Sequence, residues 1–122
     1  MGRKATVLVV DDEELVRYVT QELLSCLGYD SVVASNGEEA VEKIRAGLRP
    51  DLVLLDIVMP GMGGVEAFRR IRALAPGIPV LLSSGFTDPG ATAGLLKEGL
   101  KGVIAKPYRM ESLSARIREV LG

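Results

Sequence analysis

Six polar residues carry the chemistry this chain can do. Asp11 and Asp12 close one short apolar run, Asp56 closes a second, Ser83 and Ser84 a third, and Lys106 a fourth. The set is carboxylates, hydroxyls and an ammonium. The 122 residues include no His and a single Cys, Cys26. Without His there is no Ser-His-Asp or Cys-His catalysis, no imidazole metal ligand and no phosphohistidine on this chain. One cysteine forms neither an internal disulfide nor a thiolate zinc cluster, which fits a reducing compartment. Carboxylates held together repel and raise one another's pKa, so the cluster is costly unless a cation belongs in it. Oxygen ligands without imidazole or thiolate point to Mg²⁺ or a similarly hard cation.

The elements that must position these residues alternate. Val7-Leu8-Val9-Val10, Ser31-Val32-Val33-Ala34, Leu52-Val53-Leu54-Leu55, Pro79-Val80-Leu81-Leu82 and Val103-Ile104-Ala105 read as short strands. Between them lie helical stripes. Leu15, Val19, Leu23 and Leu27 predict a first helix that stops at Gly28. Ser35 and Glu38 form a capping-box pattern opening a helix through Val41 and Ile44 to Gly47. Val65, Phe68, Ile71 and Ala75 mark a third helix, and Met110, Leu113, Ile117 and Val120 the last. The fourth, from Pro89 to Glu98, is poor because Gly90 and Gly94 lie in it; Gly costs about 1 kcal/mol relative to Ala in a helix interior. It is therefore expected to be the soft, switching part of the surface.

Strands alternating with helices imply parallel crossovers and an α/β sheet covered on both faces. In a parallel sheet the C-terminal strand ends share one edge, where doubly wound folds bind ligands. Each polar residue has a plain reading alone: Asp12 as a helix N-cap, Asp56 as a turn residue, Lys106 as a snorkelling strand-end side chain. Four segments converging on one edge outweigh those readings.

Composition bounds the rest. The chain is ordinary globular material, 48% hydrophobic and 25% charged, and at 4% aromatic its core must be aliphatic. Residues 1–122 read as one domain without linker or repeat, with no output domain expected within them. A net charge of −1 argues against bulk attraction to nucleic acid or anionic membrane. No apolar run approaches the ~18 residues that span a bilayer. Met1-Gly2 with Thr6 formally fits a myristoylation pattern, but Thr6 sits at a strand start. Cys26, beside Leu23 and Leu27, is expected to pack as a buried inert thiol. Arg69, Arg70 and Arg72 read as a solvated helix face.

Val-Asp-Asp-Glu at 10–13, Leu-Asp-Ile-Val-Met-Pro-Gly-Met at 55–62, Ser84-Gly85 and Lys106-Pro107 together resemble the receiver domain of two-component response regulators. The match runs in order and spacing along essentially the whole chain. The resemblance implies a flavodoxin-like three-layer αβα sandwich with a five-stranded parallel sheet of order 2-1-3-4-5. It makes Asp56 the phosphoacceptor, taking a phosphoryl group from the phosphohistidine of a partner histidine kinase or histidine phosphotransfer domain. Asp11 and Asp12 become the acidic pair for Mg²⁺, Asp12 directly and Asp11 mainly through water. Asp56 and the backbone carbonyl of Val58 complete the protein ligands. Ser84 would hydrogen-bond the phosphoryl group, Lys106 would pair with it, and the Lys106–Pro107 bond would be cis. Catalysis would be limited to the domain's own phosphorylation and dephosphorylation, in the cytoplasm, as a monomer or weak dimer. Output would be altered partner binding around the fourth helix, with no direct nucleic acid or membrane contact.

Departures from the family pattern matter. Val103 stands where Tyr or Phe is usual three residues before the lysine, so the side chain of the family's aromatic relay is missing from that position. Gly63 replaces a common Asp, and Tyr108 a common Phe with a packing role. Phe86 and Val58 are expected to border the phosphoryl pocket and restrict attacking water. The Ser-Ser-Gly-Phe run and Val103 resemble receivers of hybrid histidine kinases, which leaves open a stand-alone regulator or a hybrid-kinase receiver. Gly102 and Val103 lack the acids of the charged dimer face found in DNA-binding regulators. A haloacid-dehalogenase-like phosphatase needs an acid two residues after its Asp nucleophile; here Val58 stands there. A pseudo-receiver would have lost its acids or lysine, and none is missing.

Overall fold

The computed structural model describes residues 4–85 and 89–122. Strand and helix alternate along the chain: β1 (Thr6–Val10), α1 (Glu14–Cys26), β2 (Asp30–Ala34), α2 (Gly37–Arg45), β3 (Leu52–Asp56), α3 (Gly64–Leu74), β4 (Val80–Ser84), α4 (Pro89–Lys97), β5 (Gly102–Ala105) and α5 (Met110–Leu121). The strands form one parallel sheet of order β2-β1-β3-β4-β5, as expected. Among the described residues no helix is long and apolar enough to cross a membrane.

Two apolar layers explain why the central strands are uninterrupted hydrophobic runs. Successive strand side chains point to opposite faces. Val7, Val9, Leu52, Leu54, Leu81 and Ile104 pack onto Leu24 of α1 and onto Leu113 and Ile117 of α5. Leu8, Val10, Val53, Leu55, Val80 and Leu82 pack the other way, onto Ala40, Val41 and Ile44 of α2 and Ala67, Phe68 and Ile71 of α3. With helices on both faces, neither set of alternate positions can be polar. Each fully buried Leu, Ile or Phe stabilises the fold by ~1.5–3 kcal/mol relative to an exposed one.

Several local expectations are corrected. The α1 stripe is rotated: Leu15 and Val19 are 72% and 46% exposed, whereas Thr20 and Leu24 are buried. Thr20 tolerates this because its hydroxyl donates to the Val16 carbonyl at 2.7 Å. Cys26 is exposed, not packed; it lies about 200° around the helix from buried Leu24. The α2 cap sits one residue later than the Ser35–Glu38 pattern. Asn36 is the N-cap, its Oδ1 accepting from the Glu39 N–H at 2.7 Å, while the Glu39 carboxylate takes the Ser35 N–H and hydroxyl. Asp12 is not the α1 cap either: Glu13 holds that position, without a side-chain bond. Ser83 and Ser84 fall inside β4 and do not follow it. The Arg69–Arg72 face is exposed but engaged: Arg69 makes a two-pronged ion pair with Glu98 just past α4 (2.8 and 2.9 Å), and Arg70 pairs with Glu66.

Candidate functional site

Asp11 leaves β1 with every polar group tied to a different partner. Its N–H donates to the Ala34 carbonyl (3.2 Å), and its carbonyl accepts from Arg17 Nη1 (2.8 Å). Oδ1 accepts from the Glu13 N–H (3.0 Å), and Oδ2 takes the Lys106 ammonium at 2.7 Å. The residue is 1% exposed. Asp12, next to it, projects an exposed side chain.

The sheet register delivers the remaining groups. Asp56, the last residue of β3, pairs with Ser83, and Ser84 pairs with Ala105. Backbone bonds continue one step past the strands: Ile57 N–H to the Ser83 carbonyl and Lys106 N–H to the Ser84 carbonyl, each 3.0 Å. The Lys106–Pro107 peptide is cis. Lys106 Nζ also lies 3.3 Å from Asp56 Oδ2. One carboxylate oxygen from each of Asp11, Asp12 and Asp56 can be chosen so that all lie within 4.8 Å of one another. This all-oxygen donor set fits a hard cation such as Mg²⁺ and lacks the soft ligands that zinc or copper prefer.

Electrostatics divide the site unevenly. Burial pushes the Asp56 carboxyl above its ordinary pKa, and the charge of Asp11 adds to the rise; Lys106 and the Val58 N–H oppose it without cancelling it. For Lys106, burial alone would lower the pKa, but the bond to Asp11 and the charges of Asp56 and Asp11 leave it raised. The ammonium is therefore retained through neutral pH. The Tyr108 phenol is pushed up chiefly by burial. Ser83 is near enough to counter that rise, yet no hydrogen bond of good geometry satisfies its Oγ.

The β3–α3 turn folds back tightly under the site. The Gly64 N–H donates to the Ile57 carbonyl at 2.8 Å, and a Cβ on Gly64 would collide with the Asp56 carbonyl oxygen. Glu38, from α2, braces the same loop by accepting the Met62 N–H at 3.2 Å.

Of the residues named from sequence, Asp11, Asp12, Asp56 and Lys106 come together, and Ser84 lies buried at the same edge. The Val58 side chain is 76% exposed, and Val103 is half-buried against the α2–α3 core layer. Phe86 lies outside the described residues. Sequence reading missed Arg17, Glu38 and Gly64. The glycine alone carried a signal, being the last of the 61–64 run before an apolar helix. Beside the acids, α1 and the connection from β5 to α5 flank an apolar groove of about 410 Å³ lined by Leu15, Val19, Leu23, Pro107 and Tyr108. A second groove of about 960 Å³ runs between α4, β5 and α5.

The response regulator receiver domain family model matches residues 7–118. The chain belongs to that family and is a receiver domain of two-component signalling. It is 41% identical over 118 residues to a protein-glutamate methylesterase/protein-glutamine glutaminase of a Nocardioides species, covering 93% of this chain and 32% of that one. It is 38% identical over 121 residues to the autoinducer 1 sensor kinase/phosphatase LuxN of Vibrio campbellii, covering 99% of this chain and 14% of that one. The chain thus spans only a fraction of these curated relatives. A crystal structure of the chemotaxis protein CheY4 of Vibrio cholerae superposes with a TM-score of 0.89 at 30% identity, covering 98% of this chain and 100% of that one.

Proposed function

We propose that Asp56 is the phosphoacceptor of this receiver and that Asp11, Asp12 and Asp56, with the Val58 carbonyl, hold Mg²⁺. The observation that carries this reading is the meeting of three carboxylates and one ammonium at the sheet edge. An Asp56 oxygen attacks the phosphorus of a phosphohistidine on another protein or domain. The P–N bond breaks, and its electron pair leaves with the imidazole. Mg²⁺, when bound, supplies positive charge that screens the approach of two anions. Lys106 neutralises a phosphoryl oxygen, Ser84 donates to another, and burial of Asp56 keeps bulk water from competing. A loose transition state with charge on its equatorial oxygens is stabilised by such positioning. Water later hydrolyses the aspartyl phosphate and resets the domain. In this reading the domain catalyses nothing but its own phosphorylation and dephosphorylation.

The phosphohistidine donor is a histidine kinase or histidine phosphotransfer domain, and the apolar groove flanked by α1 and Pro107 is the face we assign to it. Residues 1–122 are read as one receiver module acting in the cytoplasm as a monomer or weak dimer, with no direct nucleic acid contact. The likeness to LuxN favours a receiver of the hybrid-kinase kind, and that to CheY4 a stand-alone regulator. The test is incubation with Mg²⁺ and acetyl phosphate followed by intact-mass measurement. One phosphoryl adduct, lost in Asp56→Asn and without Mg²⁺, is expected. No adduct on the wild type would leave a binding module that takes no phosphate.

A further inference from the structure

Asp12 is the exposed member of the acid cluster, so packing does little to aim its carboxylate. Its backbone must do so. The peptide joining Asp11 to Asp12 is planar, and fixing the Asp11 carbonyl oxygen therefore fixes the plane from which the Asp12 side chain departs. One end of that unit is anchored by the buried Asp11, with its N–H on Ala34. The carbonyl oxygen itself is held by Arg17 Nη1 at 2.8 Å. Arg17 is half-buried in the first turns of α1, where its own N–H donates to the Glu13 carbonyl at 3.0 Å. The charge of Arg17 is also felt at Glu39, whose carboxyl is held below its usual pKa chiefly by the Ser35 bonds, with Lys43 and then Arg17 adding to them. Arg17 thus ties α1 back to the β1–α1 loop that carries both acids.

We infer that Arg17 is a positioning residue for the cation site: by holding the Asp11–Asp12 peptide it aims Asp12 at the place shared with Asp56. The inference rests on the reading of these acids as a Mg²⁺ site. It makes a prediction opposite in sign to that of charge alone. A cationic group beside the cluster repels a second cation, so on electrostatic grounds removing Arg17 tightens Mg²⁺ binding. Removing a group that orients a metal ligand instead weakens binding, typically ten- to a hundredfold.

The test is a Mg²⁺ titration of wild type, Arg17→Met and Arg17→Lys, followed by calorimetry and by the metal-dependent rise in melting temperature. Arg17→Met keeps the apolar stem and loses the donor. Its Mg²⁺ affinity should fall about tenfold, and Arg17→Lys, which retains the charge but cannot place a donor where the planar guanidinium fork puts Nη1, should fall less. Amide exchange at residues 12–14 of the metal-free Arg17→Met protein should quicken while β1 and β3 stay protected. Should Arg17→Met fail to fold, Arg17→Lys carries the test, because the charge account leaves its affinity unchanged. Equal or tighter binding in Arg17→Met, or wild-type affinity in Arg17→Lys, overturns the inference while the site reading stands. A wild type that shows no Mg²⁺ binding overturns both.

Discussion

The ammonium of Lys106 lies closer to Asp11, at 2.7 Å, than to Asp56, at 3.3 Å. This explains how Asp56 keeps a raised pKa beside a cation. Asp11 is the more deeply buried acid and takes the shorter, hydrogen-bonded contact. Asp56 keeps the longer contact, and burial, with the charge of Asp11, holds its carboxyl above its ordinary pKa although Lys106 opposes the rise. An under-neutralised carboxylate at the sheet edge is the one best placed to gain from a cation or a phosphoryl group.

Lys106→Met tests that division. The substitution keeps the apolar stem and leaves the buried Asp11 carboxylate without its ammonium. The metal-free protein should lose about 2 kcal/mol at pH 7, the range for a charged hydrogen bond. Saturating Mg²⁺ should recover part of that loss. Urea denaturation with and without Mg²⁺ reads both quantities, and an identical loss in each condition would count against the lysine as the resident counter-charge.

The raised Asp56 pKa sets a sign for pH dependence. The folded protein binds this proton more tightly than the unfolded chain, whose carboxyl titrates near 3.8. Stability contributed by this group therefore falls as pH rises from the unfolded value through the folded one, and the cost is complete above it. Asp56→Asn removes that cost, and Lys106 retains Asp11. The variant should melt above the metal-free wild type at pH 7, with the difference shrinking as pH is lowered toward 3.8. Melting curves across pH, without Mg²⁺, check it; a variant less stable at pH 7 would show that the Lys106 contact outweighs burial.

Neighbouring glycines should behave differently. A Cβ on Gly64 would collide with main-chain atoms of Asp56 and Ile57, which cannot move without shifting the acceptor. A Cβ on Gly63 would meet only the Ile57 carbonyl at 3.5 Å, an ordinary contact. Gly64→Ala should cost roughly 1–3 kcal/mol, the range for overpacking. It should also depress labelling by acetyl phosphate beyond what instability explains. Gly63→Ala should stay near wild type in both.

Much of this fold is legible because its physics is local. Apolar runs covered on both faces declare a parallel sheet, and acids directly after two of them declare its functional edge. The α1 phase was not legible. Residues four apart advance about 400° on a helix, so a Leu15–Val19–Leu23–Leu27 stripe drifts about 40° per step. Exposure follows the drift, from 72% at Leu15 and 46% at Val19 to half-buried Leu23 and Leu27. The core takes Leu24 instead, with Thr20 made acceptable by its own backbone bond. Ser35 misled for a similar reason, since Asn36 caps as well as Ser and lies one residue nearer α2. Arg17 gave no signal, because a side chain bonding a carbonyl in a preceding loop has no spacing rule.

The outward phase of α1 makes the final prediction. Leu15 and Val19 stay exposed beside Pro107 and Tyr108, next to the acids but not among them. Substitution there should leave the fold alone, since surface changes usually alter stability by no more than about 0.5 kcal/mol. Glu at both positions preserves helix propensity and places charge on an apolar groove. With Leu15→Glu and Val19→Glu combined, labelling by acetyl phosphate should match the wild type, because a small donor needs only the site. Transfer from a histidine kinase or phosphotransfer domain that labels the wild type should slow at least about tenfold, which is 1.4 kcal/mol of lost docking free energy. Equal transfer from the protein donor would move the docking face elsewhere. Equal slowing from both donors would mean that α1 acts through the geometry of the acids and not through contact with the partner.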